Sequence, residues 1–83
     1  LNAISKMNPI AQEYLRNARR ALKVAESVKF NQMALKHQLA SAESYWVLFL
    51  KSTRHGRFKD QVERFRTLLN ARDIKGALSF LGA

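Results

Sequence analysis

No glycine and no proline falls between Pro9 and Gly56. These residues are the strongest local interruptions of regular structure, so a stretch this long without either is expected to be helical. The whole chain of 83 residues holds only three Gly and one Pro. Apolar residues recur at helical spacing from Ile10 to Leu81. The expected fold class is all-α: a small helical bundle of three longer helices, about 9–29, 31–53 and 57–70, and a short C-terminal one, about 74–81. One helical domain is expected over 1–83, with 1–8 read as a flexible N-terminal segment. The opening Leu1 leaves a fragment, a processed product and a tag remnant all open, with Met7 a candidate start.

Asn8-Pro9 reads as an N-cap followed by proline at the first helical position. Ala11, Leu15, Ala18, Leu22 and Ala25 then form an apolar stripe, widened by Ile10, Tyr14, Ala21 and Val28. At 100° per residue, Arg16, Arg19, Arg20 and Lys23 gather on the other side. The segment 27–32 is the expected joint to the second helix, with Asn31 as N-cap. The alternative is one unbroken helix from 9 to about 52, roughly 66 Å long at the helical rise.

The second helix carries Leu35, Leu39, Ala42 and Trp46, and ends in the run "YWVLFL" (45–50). A helix that is apolar on every side is surrounded by protein. Trp46, Phe49 and Leu50 are therefore assigned to the core or to an interface with another chain. Gly56 is the candidate left-handed residue after this helix. In the third helix Phe58, Val62, Phe65 and Leu69 line one side, so Phe58 and Phe65 are read as core rather than as base-stacking rings. Asp73 is the expected N-cap of the last helix, and Gly76 weakens that helix by about 1 kcal/mol relative to Ala.

Charge decides which partners to consider. Fifteen Lys and Arg oppose six Asp and Glu, for a net +9. The excess is distributed: residues 1–42 hold seven bases and two acids, and residues 51–83 hold eight and three. Such a field favours polyanions. Two clusters stand out. One is the helix-1 stripe of Arg16, Arg19, Arg20 and Lys23. The other is the corner "KSTRHGRFK" (51–59), with Lys51, Arg54, Arg57 and Lys59, where Ser52, Thr53 and the Gly56 amide are read as added donors to phosphate.

The chain has no Cys, so disulfides and thiolate metal sites are excluded. Its longest apolar run is far shorter than the roughly 20 residues of a membrane span. His37 and His55 lie eighteen apart with no metal-ligand spacing, and no phosphate-binding glycine loop occurs. No cofactor, metal or catalytic residue is expected, and an intracellular location is. The function expected is non-enzymatic, sequence-tolerant binding to the phosphate backbone of RNA or DNA, by a small basic subunit of a larger nucleoprotein assembly, with other subunits or further copies as partners. The alternative is a helical adaptor whose basic face docks on an acidic protein.

Overall fold

A computed structural model describes residues 8–82, so residues 1–7 of the expected N-terminal segment lie outside the described residues. Four helices follow one another: α1 (Pro9–Ser27), α2 (Gln32–Ser52), α3 (Phe58–Asn70) and α4 (Ile74–Phe80). No strand occurs among the described residues. The layout is the expected all-helical bundle. The helices are one or two residues shorter than expected at several ends, most clearly at α1, which stops at Ser27 instead of 29.

Side chains at the starts of the helices account for three of the boundaries. Asn8 Oδ1 accepts from the Ile10 amide at 2.7 Å, Asn31 Oδ1 from the Ala34 amide at 3.1 Å, and Asp73 Oδ1 from the Gly76 amide at 2.9 Å. Each satisfies an amide that the helix itself leaves without a partner. The Asn31 cap starts a new helix four residues past Ser27, which is why 9–52 is not continuous. At Gly76 an added Cβ would meet Asp73 Oδ2 at 2.2 Å, so the glycine that weakens α4 also leaves room for its cap.

The helix ends differ from expectation. The left-handed residue after α2 is Arg54, with φ 52°, not Gly56. The Arg54 amide donates to the Lys51 carbonyl and the His55 amide to the Leu50 carbonyl, the paired bonds of a Schellman ending. The same pattern closes α3, with Arg72 at φ 60°, its amide on Leu69 and the Asp73 amide on Leu68. Gly56 lies two residues too late for the role.

Connections of three to five residues make neighbouring helices antiparallel. α1 packs on α2, α2 on α3, α3 on α4 and α4 back on α1. α1 and α3 stand on the diagonal, with no close approach of their backbones. Ala11, Ala18, Ala21 and Ala25 are buried in α1, and small residues there let α2 approach closely. One apolar cluster joins all four helices. At its centre Trp46, 6% exposed, stacks on Phe49 with centroids 5.3 Å apart and meets Phe65 at 5.7 Å and Phe80 at 5.6 Å.

"YWVLFL" is thus covered mainly by the chain itself. Trp46 and Leu50 are buried, Phe49 half-buried against them, and only Leu48 reaches 39% exposure. The run is apolar all round because α2 lies between α1 and α3. Phe65 is fully buried and Phe58 half-buried, as the spacing predicts. Ile10, placed on the apolar stripe, is exposed; it sits one residue out of step with buried Ala11. No helix among the described residues is long and apolar enough to cross a membrane.

Candidate nucleic-acid interface

The four cations expected on one side of α1 divide. Arg20 and Lys23 are exposed and have no ion-pair partner among the described residues. Arg16 is exposed on the same side, but it pairs with Glu13 one turn earlier. Arg19 is half-buried at the α1–α4 seam, where its Nη2 donates to the Leu81 carbonyl oxygen at 3.0 Å. Its Nε is buried with no hydrogen-bond partner. The guanidinium therefore closes the last turn of α4 and is turned away from the outward surface. Helical spacing alone puts Arg19 with its neighbours; the carbonyl that claims it, at the end of the short α4, lies 62 residues later.

The 51–59 corner keeps its charge. Lys51, Arg54, Arg57 and Lys59 are exposed, with no carboxylate partner among the described residues. Its two expected hydroxyl donors are engaged elsewhere. Ser52 Oγ donates to the Phe49 carbonyl at 2.8 Å, and Thr53 Oγ1 bonds the Phe49 and Leu50 carbonyls at 3.1 and 3.2 Å. These hydroxyls satisfy carbonyls that the end of α2 leaves open. His55 Nδ1 accepts from the Arg57 amide at 3.1 Å, which orders the turn between Arg54 and Arg57.

The two basic clusters sit on different elements. Arg16, Arg20 and Lys23 face outward from α1. Lys59 and Arg57 lie at the start of α3, on the diagonal helix, at the end of the bundle where α2 finishes. A shallow depression there is lined by Arg57, Phe58, Lys59, Asp60 and Arg64, the last two paired at 2.9 Å. Across the long dimension of 42 Å, the opposite end carries the α1–α2 and α3–α4 turns.

That opposite end contains residues that the sequence reading left aside. Lys29, Phe30, Arg72 and Lys75 line a groove of about 450 Å³ between the two turns, with Glu26 and Asp73. Phe30 is 93% exposed and neighbouring Met33 84%. Neither belongs to a helical apolar stripe, and that is the signal that would have separated them from core residues. Glu26 is tied to Lys29 at 3.0 Å and Asp73 to its cap, so Lys75 is uncompensated and Arg72 bonds only a carbonyl, Leu69, at 3.0 Å.

Four of the six acids are consumed in ion pairs: Glu13, Glu26, Asp60 and Glu43. Glu43 takes both Nε and Nη2 of Arg66, at 2.9 and 2.7 Å, which ties α2 to α3. That hydrogen bond, with the carboxylate charge, raises the Arg66 pKa. No group of three or more His, Cys, Asp or Glu able to hold a metal ion occurs among the described residues. Comparison with protein-family models, with curated proteins and with solved structures gives no match.

Proposed function

We propose that this protein binds the phosphate backbone of nucleic acid without reading its sequence and without catalysis, as a small basic subunit of a larger assembly. The observation that carries the reading is the outward face of α1. Arg20 and Lys23 stand there exposed, one turn apart, with no carboxylate to neutralise them. Lysine and arginine held on a rigid helix release condensed counterions when they meet phosphates, and that release drives sequence-independent binding. Phosphate contacts carry no base information, so the expected preference among sequences is small.

The test is a titration of single-stranded and duplex oligonucleotides across a range of salt. Arg20→Ala with Lys23→Ala should reduce the magnitude of the log–log salt slope by about 1.8 on duplex or about 1.4 on a single strand. This pair is cleaner than one including Arg16, whose removal would strand Glu13 near the phosphates. Wild-type affinity that is negligible at physiological salt, with capture of an acidic protein lost in the double variant, would favour the adaptor reading instead.

A further inference from the structure

We propose that Phe30 is a stacking platform for an unpaired base, and that the groove between the α1–α2 and α3–α4 turns takes a single-stranded segment of nucleic acid. This rests on the nucleic-acid reading above and specifies the form of its ligand. Of the five phenylalanines, Phe49, Phe58, Phe65 and Phe80 all pack in or against the core. Phe30 alone is left open, at 93% exposure. The fold gains almost nothing from that ring, since hydrophobic stabilisation requires removal of apolar surface from water.

The surroundings select the partner. Lys29 Nζ lies 5.6 Å from the Phe30 ring centroid, and Arg72 and Lys75 line the same groove. The two acids present, Glu26 and Asp73, are held by Lys29 and by the α4 cap. An exposed aromatic ring in a groove that also holds Arg72 and Lys75, neither paired with a carboxylate, suits a base flanked by phosphates, the combination by which single strands are bound without sequence preference. A duplex cannot use it, because its base faces are already covered by their neighbours. One ring and Met33 offer little apolar surface for a lipid bilayer. Arg20 and Lys23 lie in the second half of α1, the helix that ends at this groove.

The experiment uses the full chain, fluorescein-labelled oligothymidylate, a mixed-sequence duplex of equal length and phosphatidylserine vesicles. Phe30→Ala should weaken oligothymidylate binding roughly 5- to 150-fold, leave its salt slope unchanged and leave duplex binding unchanged. Phe30→Tyr, which keeps a ring, should restore most of the affinity. Buried Trp46 reports through its fluorescence that the variants remain folded. Oligothymidylate bound equally by wild type and Phe30→Ala would overturn the stacking role while leaving phosphate binding intact. Equal losses on single strand and duplex would overturn it as well. Binding of the wild type to vesicles and to neither oligonucleotide, or to none of the three, would overturn this inference together with the function it rests on.

Discussion

Arg19 in α1 donates from Nη2 to the carbonyl oxygen of Leu81 at 3.0 Å, across 62 residues of sequence. The bond joins the first helix to the last turn of the chain's shortest one. A helix of seven residues has little stability of its own, so α4 depends on such contacts. Arg19→Met keeps an apolar stem against the seam and removes the donor. A hydrogen bond from a charged group contributes about 1.5–3 kcal/mol, but the partnerless Nε offsets part of it, so a loss of about 1 kcal/mol is expected. Urea unfolding measures this. The nucleic-acid salt slope should not move, because this guanidinium is half-buried at the α1–α4 seam; a changed slope at unchanged stability would place Arg19 on the binding surface after all.

Trp46 tests the core. Its ring touches aromatic residues from α2, α3 and α4, and its Nε1 donates to the Gln61 carbonyl at 3.2 Å. Trp46→Ala should cost about 3–5 kcal/mol, close to the whole stability of so small a domain. Far-UV circular dichroism should then show much of the helical signal lost at 25 °C. A helical, cooperatively folded variant would contradict burial within the chain.

The ending of α2 yields a stabilising substitution. Arg54 holds φ at 52°, a region in which a Cβ costs roughly 1–2 kcal/mol and glycine costs nothing sterically. Arg54→Gly relieves this, although glycine's freer unfolded chain takes some back. A net gain of up to about 1 kcal/mol in unfolding free energy, read as a higher urea midpoint, is expected. A loss of stability would mean that the Arg54 side chain supports the corner in a way that its exposure does not show.

The helices were legible because their causes are local. Asn8, Asn31 and Asp73 cap the helices they precede, and the stripes of Leu22, Leu39 and Phe65 face the core. The candidate surface was legible only as charge. Helical spacing places Arg19 beside Arg20, yet nothing within α1 reveals that Leu81 will arrive to bind it. Phe30 was hidden for the opposite reason. It lies in a joint between helices, where its absence from an apolar stripe separates it from the core residues but does not place it in a groove, and the groove depends on how the α1–α2 and α3–α4 turns are set side by side. Gly56 failed as a marker because a favourable residue type does not fix the register in which a helix stops.

The separation of the two basic clusters gives the last prediction. Arg20 and Lys23 face outward from α1, whereas Arg57 and Lys59 start the diagonal helix at the far end from Phe30. An oligonucleotide of a few nucleotides can neutralise one cluster but not both. With a short single strand, Arg20→Ala with Lys23→Ala should lower the slope magnitude by about 1.4, and Arg57→Ala with Lys59→Ala should leave it unchanged. With a strand long enough to wrap the 42 Å bundle, the second pair should also count, for up to about 1.4. Fluorescence anisotropy against salt, at two oligonucleotide lengths, provides the measurement. If the corner pair alone controls the slope at both lengths, the binding face belongs to the start of α3, and the exposed cations of α1 serve only to keep the protein in solution.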